Sequence, residues 1–490
     1  MHRDPILDAF DLLRRRRPDR LLVASPTRRA TAAEVSELAE TAAGLLDAAP
    51  LPPGTVVGLA APDGAAFLAS FVALRRRGLV PLLLEWRSPA AERDRVADGL
   101  GSSWTFTCRD RWPAAAGDWQ LAGRGPRSRA ADWLLLNPET AAVKLTSGST
   151  GRPRGIVTPA AALFADDAAL ARTMGLAADE RIVGAIPMSH SYGLSSVVLP
   201  ALVRGSLVVM AEEGSGPYGP LHAARALGAT FFPTVPAFLR ALLASERPPP
   251  LPPSLRLTIT AGAPLQPETA ERFRAVYGRP VHVFYGSSET GGICFDREGG
   301  AGERGSVGTP VEGVQVRLAG DDGDPAGGAA DPEVGVVVVE SPAVAAGYLP
   351  ADEARLGAGR FRTGDCGSWR GGELQLVGRT DDLINVRGKK VNPREVEAVL
   401  AGLAGVREAV AFGAGEAEPI LRVAVACDPG DVTAGRVLEW CRDRLAEHKV
   451  PRSVVLVDEI PRTSRGKVDR EALLSLRPSR ASHALRSQLR

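Results

Sequence analysis

The sequence predicts an α/β protein: a large N-terminal region of αβ-layered subdomains with a β-rich part, followed by a small α+β C-terminal domain. Helical and strand-like patterns alternate through the first two thirds of the chain. Near Asp381 the alternation gives way to a shorter mixed pattern. The chain has 490 residues, 44% of them hydrophobic, which exceeds one ordinary core and supplies two or more domains.

Thr31–Leu46 is rich in Ala, Glu and Leu and opens on a threonine, as a capped helix does. Thr55–Ala60 is a short apolar run and reads as a strand. Ala65–Arg77 reads as a helix and Leu79–Leu84 as the strand after Gly78. The alternation recurs at Ala160–Thr173, Arg181–Ile186, Ser195–Leu202, Ser206–Met210 and Pro220–Leu227. Repetition of this kind specifies largely parallel sheets covered by helices. Five prolines within Pro248–Pro253 make a stiff surface connector. Gly299–Gly305 and Ala319–Ala330 read as turns. Ser306–Leu318, Val334–Glu340 and Glu373–Val377 read as the β-rich part.

The C-terminal domain is expected to span residues 381–490, after an N-terminal domain of residues 1–380. Asn392-Pro393-Arg394-Glu395 has the form of a helix start: Asn as cap, Pro in the first position, Glu three residues on. A helix over Arg394–Ala401 follows, then strands at Val406–Phe412 and Leu421–Ala426. A helix at Ala434–Leu445 and a strand at Ser453–Val457 complete the pattern.

Lys plus Arg number 59 against 57 Asp plus Glu, a net charge of +2. Such balance argues against a dedicated nucleic-acid binder. The Arg14–Arg17 run and the arginines of the C-terminus read as solvated surface. The five cysteines are scattered, and no two have metal-ligand spacing. Reduced thiols in a cytoplasmic protein are expected, with Cys366 a bystander. The N-terminus has no apolar signal core, and no run of about 18 apolar residues predicts a membrane span.

Leu145–Gly155 reads Leu-Thr-Ser-Gly-Ser-Thr-Gly-Arg-Pro-Arg-Gly: four hydroxyls, three glycines and two cations in eleven positions. Glycines bring backbone N–H groups close to an anion, and hydroxyls and guanidinium groups add donors. A polyphosphate loop is implied; taken alone, the stretch also fits a plain Gly/Ser surface loop. It is not a P-loop, because the Gly-Lys-Ser/Thr ending is absent and Pro153 interrupts a helix there.

Six further segments accompany it in order. They are Ile186-Pro187-Met188-Ser189-His190-Ser191-Tyr192-Gly193, Ala261-Gly262-Ala263-Pro264-Leu265, Phe284-Tyr285-Gly286-Ser287-Ser288-Glu289, Arg362-Thr363-Gly364-Asp365, Gly378-Arg379-Thr380-Asp381-Asp382 and Pro461-Arg462-Thr463-Ser464-Arg465-Gly466-Lys467. Together they resemble the adenylate-forming superfamily of acyl- and aryl-CoA synthetases, peptide-synthetase adenylation domains and luciferases. The resemblance runs from about Ala30 to Arg470.

That resemblance implies joining of a carboxylic acid to AMP with release of pyrophosphate, then transfer of the acyl group to a thiol. It implies that Thr146, Ser147, Gly148, Ser149, Thr150 and Gly151 wrap the β- and γ-phosphates, with Arg154 beside them. Glu289 matches a Mg²⁺ ligand, whose hard oxygen suits that ion; Gly286 and Ser288 flank the nucleotide. Tyr285 would stack on adenine, and Gly262, Ala263 and Pro264 would line it. Asp365 would hold the ribose hydroxyls, and Arg379 the ribose or α-phosphate. Lys467 would bridge carboxylate and phosphate during adenylation. Asp381 matches the hinge of a mobile C-terminal domain. Gly388 and Lys389 would border the thiol tunnel, and Lys390 would reach the α-phosphate after the domain swings. His190 would gate the acid pocket or touch the carboxylate.

Two positions depart from the family pattern. Arg154 stands where lysine is usual, and the two cations are not interchangeable. Lys144 stands before the loop where an apolar residue is common. The Phe-Asp pair that holds an α-amino acid's ammonium is missing, which disfavours that substrate class. The Glu289–Asp365 separation leaves no room for the segment typical of long-chain fatty acyl-AMP ligases. Tyr192, Val235, Pro236, Ala261, Ser287, Gly291 and Gly292 are the expected pocket residues, and their sizes fit an aromatic or medium-length acid.

The leading expectation is an ATP- and Mg²⁺-dependent acid–thiol ligase acting on a small-molecule carboxylic acid, with CoA as acceptor. A stand-alone ligase loading the phosphopantetheine arm of an acyl carrier protein is the alternative. A noncatalytic nucleotide-binding homologue is the contrasting class. The joint presence of Lys467, Glu289, Asp365 and Arg379 argues against it.

Overall fold

The computed structural model describes residues 4–49, 51–123, 134–147, 153–320, 333–350, 356–380, 384–386, 389–391, 393–414, 420–428, 430–462 and 468–476. They group into two compact units. The larger comprises Met1–Arg317, Val338–Thr363 and Arg370–Gln375; the smaller comprises Leu318–Val337, Gly364–Trp369 and Leu376–Arg490.

Two sheets dominate the larger unit. The first has seven strands in the order Gly347–Leu349, Pro153–Pro159, Thr140–Ser147, Val80–Leu83, Val56–Ala60, Trp104–Cys108 and Trp119–Gly123. Its four central strands are parallel, and its margins are antiparallel. Helix Ala65–Arg76 is buried at every position from Ala65 to Arg75. A helix apolar on all sides is stable only when enclosed. Phe67, Phe71 and Phe106 are fully buried, each contributing roughly 1.5–3 kcal/mol of transfer free energy. Arg75 closes this helix as a buried cation. Its guanidinium donates to the carbonyls of Leu79, Thr140 and Pro138 and pairs with Asp4 at 2.9 Å. Burial of the charge is tolerated because every direction of the fork finds an acceptor.

Helix Ala32–Leu46 begins as its threonine predicts. Thr31 Oγ1 accepts from the Glu34 N–H, and the Glu34 carboxylate accepts from the Thr31 N–H. The N-terminal basic run, expected as solvated surface, lies in the last turn of helix Pro5–Arg16. Cations there complement the helix dipole.

The second sheet has nine strands, centred on Leu257–Thr260, Phe231–Thr234, Arg181–Val183, Leu207–Val209 and Leu21–Ala24. Strands Arg181–Val183, Phe231–Thr234, Leu257–Thr260 and His282–Ser287 all run parallel. Their C-terminal ends therefore share one edge. The chain leaves those ends into Ile186–Gly193, Val235–Pro236, Ala261–Leu265 and Ser288–Glu289 respectively. Loops at the carboxyl edge of a parallel sheet are the usual seat of ligands in α/β proteins.

The smaller unit contains the sheet Val406–Ala414, Ile420–Cys427 and Ser453–Val457, with helices Pro393–Ala401 and Ala434–Arg442. Val396, Leu400, Leu421, Val423, Val437 and Val454 form its core at 0% exposure. Strands Ile384–Val386 and Lys389–Val391 pair as a short hairpin. All five cysteines are free and buried. Among the described residues no helix is long and apolar enough to cross a membrane.

Candidate active site

Two paired strands flank the glycine-rich segment. Strand Thr140–Ser147 enters it, and strand Pro153–Pro159 leaves antiparallel, with Thr146 opposite Arg154 and Leu145 opposite Gly155. Gly148, Ser149, Thr150 and Gly151 fall outside the described residues, as does the Ser147 side chain. Gly155 closes the hairpin against a third strand. A Cβ there would lie 2.7 Å from Val143 Cγ1 and 3.3 Å from Leu349 Cβ.

Glu289 stands on the turn between strands His282–Ser287 and Gly291–Phe295, where Ser287 pairs with Gly291. Its N–H donates to Ser287 Oγ at 3.2 Å. A short segment grips it from two sides. The Ala345 N–H donates to the Glu289 carbonyl at 2.8 Å, and the Tyr348 hydroxyl donates to Glu289 Oε1 at 2.9 Å. Tyr348 sits on the strand that pairs with the loop-exit strand, opposite Ile156. The Arg154 guanidinium carbon lies 4.7 Å from its ring centroid, a cation–π contact. One tyrosine thus connects the cation of the loop exit with the carboxylate of the turn.

Close packing and hydrogen bonds shape the His190 segment. A Cβ on Gly193 would come within 1.9 Å of the Pro187 carbonyl oxygen; only glycine fits, which explains the Pro-x-x-His-x-x-Gly spacing. His190 Nδ1 accepts from the Tyr192 N–H at 3.2 Å, which places the ring proton of the neutral form on Nε2. Tyr192 donates its hydroxyl to the Thr234 carbonyl at 3.3 Å, and its ring centroid lies 6.0 Å from that of Phe284. The tyrosine thereby reaches the end of strand Phe231–Thr234, after which Val235 and Pro236 follow. A cavity of about 580 Å³ opens beside this segment, lined by Pro187, Ser189, Asp63, Arg87 and Arg111 among others. Asp63 fixes the segment by accepting from the Met188 N–H at 2.7 Å. Burial raises its carboxyl above the ordinary range.

Gly262, Ala263 and Pro264 are exposed, and Ala261 is buried beneath them. Gly262 has φ +84° and open space where a Cβ would stand, so the backbone itself forms that surface. Tyr285 is buried on its strand. In the smaller unit Arg379 and Asp365 face each other, Nη1 to Oδ1 at 3.5 Å. Gly364 makes room, since its Cβ would lie 2.7 Å from an Arg379 nitrogen. Asp381, Gly388 and Lys467 fall outside the described residues. Lys389 and Lys390 lie on strand Lys389–Val391, and their side chains are likewise outside the described residues.

Residues 10–349 match the family model for the AMP-binding enzyme, and residues 395–467 match that for the AMP-binding enzyme C-terminal domain. The chain belongs to the AMP-binding enzyme family. It is an enzyme of the adenylate-forming superfamily and is similar to acyl- and aryl-CoA ligases. A feruloyl-CoA synthase from Amycolatopsis sp is 31% identical over 89% of this chain and 92% of its own. A sulfoacetate–CoA ligase from Cupriavidus necator is 32% identical over 67% of this chain and 66% of its own. Among solved structures, ATP-bound MatB from Rhodopseudomonas palustris superposes with a TM-score of 0.77. It is 25% identical and covers 96% of this chain and 98% of its own.

Two residues of this AMP-binding enzyme escaped sequence reasoning. Tyr348 follows no motif that chemistry alone marks. Asp166 lies mid-helix in Ala160–Met174 and is 4% exposed. Its Oδ2 accepts from Ser195 Oγ at 2.5 Å, and its Oδ1 accepts from the Gly292 N–H at 2.9 Å. Acceptance at both oxygens fits the ionised form, against burial that raises the carboxyl. A signal was present: Asp166 falls between Leu163 and Leu170 on the buried stripe of that helix. Lys144, also 4% exposed, lies within Coulombic reach of Asp166 and Glu289, and burial lowers its ammonium to about 8.

Proposed function

We propose that this AMP-binding enzyme is an acid–thiol ligase. A carboxylate oxygen attacks the α-phosphorus of ATP, the α–β phosphoanhydride bond breaks, and pyrophosphate leaves. The CoA thiol then attacks the acyl carbon, forming the thioester and releasing AMP. The carrying observation is the Arg154–Tyr348–Glu289 connection at the exit of the glycine-rich hairpin. It holds a cation and a carboxylate on one rigid aromatic support, where a metal–polyphosphate would need both.

The donor set fits magnesium. Among the described residues no three His, Cys, Asp or Glu groups form a metal cage, whereas Mg²⁺ in nucleotide sites takes one or two carboxylates and completes its shell from phosphates and water. Glu289 is the residue that would hold it, and the ion would supply charge neutralisation to the triphosphate. Thr146, Ser147, Gly148, Ser149, Thr150, Gly151 and Arg154 would hold the β- and γ-phosphates. Gly262–Pro264 and Tyr285 would receive adenine, and Asp365 and Arg379 the ribose. Lys467 would approach the reacting oxygens, carried by a domain that turns about Asp381 so that Gly388, Lys389 and Lys390 serve the second step.

Tyr192, Phe284, Pro236 and the start of strand Gly291–Phe295 would line the acid pocket, and such aromatic and apolar walls would favour an aromatic or medium-length acid. The feruloyl-CoA synthase relative supports both that class and CoA as acceptor; the sulfoacetate–CoA ligase supports the acceptor alone. Pyrophosphate exchange across a panel of carboxylic acids tests the reading. Exchange with aromatic or medium-chain acids, followed by thioester formation on adding CoA, is expected. ATP binding without exchange for any acid overturns it. Transfer to a phosphopantetheinylated carrier protein in place of CoA would establish the alternative acceptor.

A further inference from the structure

Lys144 and Asp166 have no part in the assignments above, yet both are almost wholly buried within the walls of the same site. Burying one ion alone is costly; a compensating ion and a full set of hydrogen bonds make it tolerable. Asp166 has that set, and its two partners belong to different walls. Ser195 lies in the helical segment that begins at His190. Gly292 lies three residues beyond Glu289. Gly291, at φ +69°, packs so closely that a Cβ there would stand 2.3 Å from Asp166 Oδ1. The carboxylate therefore fills the space beneath the turn. Lys144 brings in the third wall: it lies two residues before Thr146 on the strand that enters the glycine-rich segment, on the same face by strand alternation.

We infer that Lys144 and Asp166 act as a buried positioning pair, in which Asp166 ties the Glu289 turn to the Ser195 helix and Lys144 supplies the balancing charge from the loop-entry strand. The pair sets where the Glu289 carboxylate stands relative to the hairpin. It accounts for a cation on that strand where an apolar residue would otherwise serve. The inference rests on the adenylation reading, and it concerns the nucleotide half-reaction in particular.

Three variants test it: Lys144→Met, Asp166→Asn and the double variant. Asp166→Asn keeps the shape and an acceptor for the Gly292 N–H, and Lys144→Met keeps most of the volume. Each single change leaves one member of the buried pair without the other; the double change removes both. The expected result is an apparent KM for Mg-ATP in pyrophosphate exchange raised about tenfold in each single variant. The double variant should return to within about threefold of the parent, by the same coupling logic. Thioester formation from preformed acyl-AMP should stay within about twofold throughout. Unchanged KM values in folded single variants overturn the inference. So does an equal loss in both half-reactions with no recovery in the double variant, the pattern of a purely structural pair. If the parent protein itself exchanges no pyrophosphate, the adenylation reading fails on its own. Calorimetric Mg-ATP titration of the four proteins then decides the pair: the same single losses and double recovery in affinity support it, and uniform affinities overturn it.

Discussion

Tyr348 donates its hydroxyl to Glu289 Oε1 at 2.9 Å, across 59 residues of sequence. The bond fixes the direction of that carboxylate. Tyr348→Phe retains the ring under Arg154 and removes only that donor. It should lower kcat/KM for Mg-ATP in pyrophosphate exchange roughly tenfold, since hydrogen bonds to charged groups contribute about 1.5–3 kcal/mol. Stopped-flow measurement of thioester formation from preformed acyl-AMP should show little change; a matched loss there would count against an orienting role.

Arg154 tests the same support from its other end. A planar guanidinium lies over an aromatic face better than an ammonium does. Arg154→Lys should keep activity but raise the KM for pyrophosphate in the reverse direction about threefold, and Arg154→Met should raise it more than about tenfold. Equal behaviour of Lys and Met would remove the cation from pyrophosphate handling.

Lys467 falls outside the described residues, and its role comes from the family motif. Lys467→Ala should abolish adenylation, a loss of about a hundredfold or more, while thioester formation from preformed acyl-AMP survives. Assaying the half-reactions separately decides this. Loss of both would contradict a lysine used in one step only.

Lys144 gives the apoprotein a pH signature. Its folded value, lowered to about 8 by burial, lies below the unfolded lysine value near 10.4. Between those values the unfolded chain binds more protons, so stability rises with pH. As pH falls through about 8, that contribution is lost. Urea unfolding should therefore show the parent gaining about 1–2 kcal/mol more than Lys144→Met from pH 7.5 to 9.5. Parallel pH profiles would place the ammonium in ordinary solvent.

The sequence made legible what is encoded locally. The Thr31 cap and the helix and strand alternation follow from spacing and residue type, and the motif loops at the strand ends from the resemblance to the family. Gly193 belongs to this class, because its collision partner Pro187 is six residues away. Tyr348 and Asp166 were not legible, because their meaning lies in contacts 59 and 126 residues distant. Lys144 shows the boundary between the two. Its charge looked anomalous on a β-strand, but the carboxylate that explains it sits on a helix whose pattern reads simply as amphipathic.

The Gly193 contact also limits how this pocket can be redesigned. With the Pro187 oxygen occupying the place of any Cβ, a mutational library that randomises position 193 would be filled mostly by chains unable to close the His190 turn. Diversity aimed at the proposed acid pocket belongs at Tyr192 and Val235, which the Pro187 oxygen does not confine to glycine.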